Sequence, residues 1–444
     1  MTHLPPDRGA PAAGIDRLGL RHTTQHPAAL AAFADAAEGL AAYRRDVPDC
    51  LERALAAAPG MPAALALRGL TLLLAGRAET VAAARRVLSK LPSGPRTDDE
   101  AALVGALAAG LATGPLAAAE VLATALRRRP GLLLFVKLAT ALRFLGGDGA
   151  GMRRLTAAVL PAWSADMPGY GYVLGCHAFA LEEAGDYAAA ERFGRAAIAH
   201  TPADPWAIHA VAHVHEMTGQ PAAGAAWIEA RRADWQGCNN FAGHLAWHLA
   251  LFRLAQGDVA AALDLYDREI RAEPSEDMRD YANAVSLLWR LRQHGIAVGP
   301  RWQELAAIAR RRRGETVLLF AALHRLLALL AVGDAAAAGE LVAGLAHARG
   351  EQGVVARQVG LPLGRALVGV AEAGRRAELG TLAAGLAALG GSNAQRDVFV
   401  RSLAILAAER GDRAARDAIL AVRRRLRAED RLADLLPTQP RRAA

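Results

Sequence analysis

Apolar residues recur at spacings of three and four along almost the whole chain, in stretches of helical length separated by short polar turns. The clearest order lies between Tyr170 and Pro274. Gly185 and Gly219 stand 34 residues apart, and Gly257 follows 38 later. Around Gly185, Ala178 lies seven before, and Tyr187, Ala190, Ala197 and Pro202 lie two, five, twelve and seventeen after. The matching places hold Ala212 and Gly224 around Gly219, and Ala250, Ala262 and Pro274 around Gly257. Two short antiparallel helices need a tight turn, which glycine forms at low steric cost. Small residues let the facing helices approach, and proline closes the second helix. Three such units in register predict a helical-hairpin repeat.

The same pattern extends outward. Helices are predicted from Pro27, over Cys50–Ala58, Pro62–Ala75 and Glu79–Lys90. After a linker at Leu91–Arg96 they resume at Asp98–Ala112, where TDDE supplies an N-cap and an acidic first turn. Further helices follow at Pro115–Arg129, Leu132–Leu145 and Met152–Trp163. Beyond Pro274 come Met278–His294, Arg301–Arg312, Glu315–Val332 and Ala335–Ala348. Residues 349–360 read as a Gly- and Gln-containing break before Leu361–Ala373 and Arg376–Leu389. In GGSNAQRDVF, Ser392 and Gln395 form a capping box that opens another helix. Gly-Asp pairs mark turns at 147–148, 333–334 and 411–412. The fold class is therefore all-α, a tetratricopeptide-like helical-hairpin solenoid winding as a right-handed superhelix with a concave groove. Residues 1–15 are expected as a disordered tail, 16–436 as one solenoid and 437–444 as a flexible tail.

Composition agrees with helix, since Ala, Leu, Arg and Glu dominate and aromatics are 5 %. The net charge of +8 raises nucleic acid as a partner. Lysine occurs only at 90 and 137, however, and arginine-for-lysine usage beside abundant alanine is the mark of a GC-rich genome. The arginine runs at 127–129, 310–313 and 423–425 lack the interleaved aromatics that stack bases, so no nucleic-acid partner is expected. Cys50, Cys176 and Cys238 are too few and scattered for a disulfide framework. The N-terminus carries no apolar signal-peptide core. Val317–Val332 is interrupted by His324-Arg325 and too short to span a bilayer, which predicts no membrane partner and a cytoplasmic location.

Chemistry concentrates in the central block, which holds seven of the 13 histidines. In PWAIHAVAHVHEM, His209, His213 and Glu216 share one helix face, while His215 points elsewhere. His244 and His248 repeat the i, i+4 spacing, and His177 stands in a similar place one repeat earlier. Such pairs chelate Zn or another divalent transition metal, with His209, His213, His244 and His248 as ligands. They can equally run acid–base chemistry without metal, or pack between helices. Trp206 and Trp247 border the histidines and could wall a pocket. Arg396 and Asp397 in the 392-helix could bind an anion and orient a histidine.

The segments DYAAAERFGRAAIAHTPADPWAIHAVAHVHEM, HLAWHLALF, LYDREI, GIAVGPRWQEL, VGLPL and GGSNAQRDVF resemble the tetratricopeptide repeat protein 38 family over roughly residues 25 to 430. The resemblance implies an all-helical solenoid and no settled activity. By position, His209, His213, Glu216, His244, His248, Arg396 and Asp397 match the family's polar motif residues. Leu245 stands where relatives often have Asn, Ala139-Thr140 replaces a His-Asp pair, and Ala322 replaces an Asp before the retained His324. Three readings stay open. One is a protein that binds a small molecule or peptide in a His-lined groove, with His177, Trp206, Trp247, His324 and Arg396 as contacts. Another is a hydrolase or lyase, with or without metal, working through His209, His213, Glu216, His244, His248 and Asp397. The third is a degenerate homologue kept for interaction. A homo-oligomer is compatible with all three.

Overall fold

The computed structural model describes residues 13–369, 379–428 and 432–436. Residues 1–12 of the tail expected at 1–15, the tail expected at 437–444 and the helix portions expected over 370–378 lie outside the described residues. Gly14–Ile15, expected within the N-terminal tail, instead pair antiparallel with Arg21–His22. Everything else with regular structure among the described residues is helical, and successive helices pack against one another as hairpins. The fold is a solenoid of the tetratricopeptide type.

Local chemistry explains the hairpins. Gly185, Gly219 and Gly257 all adopt the left-handed region, with φ of 82°, 71° and 84°. Where an aspartate follows the turn glycine, as after Gly185, Gly257 and Gly333 but not after Gly219, it caps the next helix: Asp186 accepts from the Ala189 amide, Asp258 from Ala261 and Asp334 from Ala337. Each Gly-Asp pair thus ends one helix and starts another, the cap contributing about 1 kcal/mol. Small residues act as expected. At Gly224, a Cβ would come within 2.3 Å of the Phe252 ring. The capping boxes at Thr97/Glu100 and Ser392/Gln395 are both formed.

Two segments differ from the sequence pattern. Residues 349–360 are not a break, because Gly350–Val355 is α-helical and Ala356–Gly360 continues as a π-turn into Leu361–Val368. The helix expected from Glu315 starts only at Leu319, since Glu315 is spent on long-range contacts. Its carboxylate receives the Ala78 amide at 2.6 Å and Arg325 at 2.9 Å.

Those contacts belong to a closure. Arg312 joins Glu79 and Glu276, and Glu351 accepts the Leu116 and Ala117 amides at 2.9 and 2.8 Å. At Gly147 a Cβ would lie 2.2 Å from the Ala387 carbonyl, so the two halves touch backbone to backbone. Further round, the Asn393 amide donates to Glu183 at 2.8 Å and the Ala428 amide to the Met217 carbonyl at 2.8 Å. Hairpins of the first half therefore meet those of the second half along the chain's inner side. The inner helices Tyr170–Glu183, Pro205–Met217 and Phe241–Ala255 are buried on almost every side. A helix covered all round needs no single apolar stripe. No helix among the described residues is long and apolar enough to cross a membrane.

Candidate functional site

Where the inner helices lie side by side, His209, His213, His244 and His248 converge. All four are buried, and one nitrogen from each lies within 4.8 Å of those of the others. The i, i+4 spacing puts each pair on one face, and hairpin stacking sets the two faces together. His209 Nε2 and His244 Nε2 are 3.0 Å apart.

The outer nitrogens are held from behind. His248 Nδ1 bonds Glu216 Oε2 at 2.9 Å, and His244 Nδ1 bonds Asn283 Oδ1 at 3.0 Å. Glu182 Oε2 stands 3.3 Å from His213 Nδ1. Asn283 accepts from His244 Nδ1, which leaves His244 Nε2 as an acceptor and makes His209 Nε2 the donor of that bond. His248 Nε2, both nitrogens of His213 and Nδ1 of His209 find no hydrogen-bond partner. An unpaired buried polar atom costs about 1–3 kcal/mol, so four of them together are expensive to keep.

Electrostatics keeps the imidazoles neutral. Burial pushes His209 and His244 well below the usual histidine range and His248 down to about 4. His213 is lowered too, again by burial. Burial also raises Glu182 to about 8, helped by the charge of Glu216. The 3.3 Å approach of Glu182 to His213 thus joins a neutral acid to a neutral ring, although its distance is that of an ion pair. Glu216 goes the other way: burial opposes its charge, but the His248 hydrogen bond and Arg427 overcome that and keep it ionised. Arg427 donates to its other oxygen at 2.9 Å.

Beside the tetrad lies a cavity of about 540 Å³, walled by Tyr43, Phe144, Trp206 and Phe241 and reached by His209 and His244. Trp206 packs against His209 at 5.0 Å between ring centroids and stacks on Tyr43 at 5.8 Å. The groove expected from the repeat holds this chamber, to which the first hairpin supplies Tyr43 and the loop before the 393–409 helix supplies Gly391.

Other residues singled out from the sequence fall elsewhere. His177 Nδ1 turns to Thr156 Oγ1 at 2.9 Å, away from the tetrad. It lies eight residues before its turn glycine, whereas His209 and His213 lie ten and six before theirs. A shift of two residues is about 200° of helix, the opposite face. His324 bonds the Phe320 carbonyl at 2.8 Å and packs between Phe320 and Phe399. Trp247 stacks on His244 at 5.3 Å and donates to Ser286 at 3.1 Å, so it backs the tetrad without facing the chamber. Arg396 holds Glu183 at 3.2 Å and Asn393 at 2.7 Å, and borders a separate cavity. Asp397 pairs with Arg423 at 2.6 and 3.2 Å and orients no histidine. Both oxygens of Glu216 are occupied and it does not line the chamber, which removes it as a base toward a chamber ligand. Leu245 and Ala322 are core residues, while Thr140 lines the chamber, its hydroxyl bonding the Val136 carbonyl at 2.8 Å.

Glu182, Asn283 and Arg427 had drawn no attention in the sequence. They come from the neighbouring repeats and from the segment after the last long helix, and only the stacking brings them in.

No protein-family model matches the chain. Among solved structures, a monomeric mutant of IFIT1 with Gppp-AAAA is similar at 13 % identity and a TM-score of 0.40, covering 78 % of this chain and 87 % of that one. A likeness so distant carries nothing about the site.

Proposed function

We propose that the tetrad is a transition-metal site, Zn being the simplest occupant, set in the wall of a chamber that takes a small molecule. The observation that carries this reading is the pairing of engaged and unengaged nitrogens. His244 and His248 each give Nδ1 to an outer acceptor, and Glu182 stands behind His213, which leaves the inner nitrogens directed at one another. Metal-bound histidines are oriented in this way, by a carboxylate or amide on the far nitrogen. Neutral imidazole is the binding form, and burial maintains it. A metal would also satisfy His248 Nε2 and one nitrogen of His213.

His209 and His244 both lie on the chamber wall, and of the two only His244 has an acceptor behind it, Asn283. His213, His244 and His248 would be the permanent ligands, and His209 the fourth, which a chamber ligand can displace. Three histidines and one exchangeable position are what a metal needs to polarise a bound group. This supports a metal-dependent hydrolase or lyase as the second reading, since a closed structural site would have no use for a chamber beside it. A cavity of about 540 Å³ suits a small molecule better than a peptide. Membership of the tetratricopeptide repeat protein 38 family, and a cytoplasmic location, belong to the same proposal on the motif residues quoted above.

The test is metal stoichiometry in three proteins. His248→Ala should lose the metal, His209→Ala should retain it with weaker affinity, and wild type should carry about one ion. Equal retention in both variants with folding intact would sink the assignment.

A further inference from the structure

Lys137 is one of two lysines in the chain and lies 6 % exposed on the chamber wall. Its ammonium sits 4.4 Å from the Tyr43 ring centroid and 5.0 Å from that of Trp206. Its polar partner is the Tyr43 side chain, and among the described residues no carboxylate lies within 4.0 Å of it. Asp204 acts on it only from beyond that distance and spends one oxygen on the Trp206 amide at 2.9 Å. Two more cations line the same chamber without a carboxylate. Arg45 donates to the Cys238 carbonyl at 2.8 Å, and Arg279 bonds Asn240 at 3.1 Å and lies over Phe241. The chamber's other arginines are neutralised: Arg44 pairs with Asp46, and Arg68 with Glu52. Asp277, also on the wall, caps its own helix at the Arg279 amide.

A buried ammonium facing an apolar, aromatic cavity is costly unless something completes it. Aromatic faces offset part of that cost, and an anion would offset more. Lys137 and His209 both lie 5.0 Å from the Trp206 ring, so an anion at the lysine and a group beside the tetrad would flank one indole.

We propose that the chamber's ligand is a small organic anion, a carboxylate or phosphate monoester on a flat apolar body. The charge sits at Lys137, with Arg45 and Arg279 adding to the field, and the body lies against Tyr43, Trp206 and Phe241, its far end toward His209. This rests on the chamber being the binding site but not on the metal being bound.

Calorimetric titration of the full chain with phenylacetate, phenyl phosphate, benzyl alcohol and benzylamine tests it. At least one of the two anions should bind saturably and the alcohol and amine should not, and the better anion identifies the head group. Lys137→Met should weaken that binding tenfold or more. Its metal content should stay unchanged, because Lys137 has no hydrogen bond to a tetrad residue, and its melting temperature should not fall, because the buried ammonium is itself costly. Metal absent from wild type would count against the metal site alone. Binding of benzyl alcohol as tight as that of the anions, undiminished binding by Lys137→Met, or no binding of any probe would each overturn the anion assignment. Should Lys137→Met not fold, the four-probe comparison on wild type decides.

Discussion

Replacing Glu216 by Gln probes the tetrad with the least change of shape. Glu216 accepts from His248 Nδ1 at 2.9 Å through one oxygen and from Arg427 at 2.9 Å through the other. The amide can keep only one of these bonds. Its oxygen can still receive the imidazole, but its NH₂ then faces a guanidinium that also donates. Losing a charge-assisted bond costs about 1.5–3 kcal/mol, so the apo protein should lose that order of stability. The imidazole also loses the negative charge that makes it a better donor to metal. Outer partners of this kind are worth about 10- to 100-fold in affinity, or about 1.4–2.8 kcal/mol at 1.4 kcal/mol per decade. Competition against a chromophoric chelator measures the affinity, and urea unfolding of apo protein measures the stability separately. Metal affinity within twofold of wild type, in a variant whose helicity is intact, would refute the idea that Glu216 holds a metal-bound histidine.

Three further outcomes follow from the packing. Gly224→Ala should destabilise by about 1–3 kcal/mol, since the new methyl meets the Phe252 ring at 2.3 Å; a thermal melt within a degree of wild type would contradict it. Glu351→Ala removes the cap that the later half of the chain supplies to the Leu116 and Ala117 amides, for about 1–2 kcal/mol. Amide hydrogen exchange should quicken at 116–118 and at 350–355 together, and an effect confined to one side would mean the halves are not coupled there. Burial takes His324 down to about 4 while the unfolded side chain titrates near ~6.5. The fold thus favours the neutral ring, and stability falls as pH drops from 6.5 toward 4, by about 3 kcal/mol in full. His324→Gln should flatten that slope by up to one proton, and an unchanged slope across that window would count against a buried neutral ring.

What the sequence revealed was what local periodicity encodes. The glycine spacing gave the hairpins, and the i, i+4 pairs at 209/213 and 244/248 converge as helical geometry requires. Phase was harder to see. His177 looked equivalent until its place relative to Gly185 was compared with those of the others. Most hidden were contacts made by closure, because nothing in a repeat says where its two ends meet. Lys137 and Tyr43 reach the chamber from early hairpins, and Arg427 reaches Glu216 from beyond the last, so their roles depend on pairings far apart in the chain. Residues 349–360 read as a break because glycine is a poor helix former, yet Gly353 sits in a helix anchored from outside through Glu351.

The most direct test of the account is X-ray absorption at the metal edge of the purified protein, beside the His213→Ala, His248→Ala double variant. The account predicts about one metal per chain with three or four nitrogens at about 2.0–2.1 Å and the outer scattering of imidazole, all lost in the variant. A protein without stoichiometric metal, a shell of oxygen or sulfur, or a nitrogen shell that survives the double substitution would contradict it.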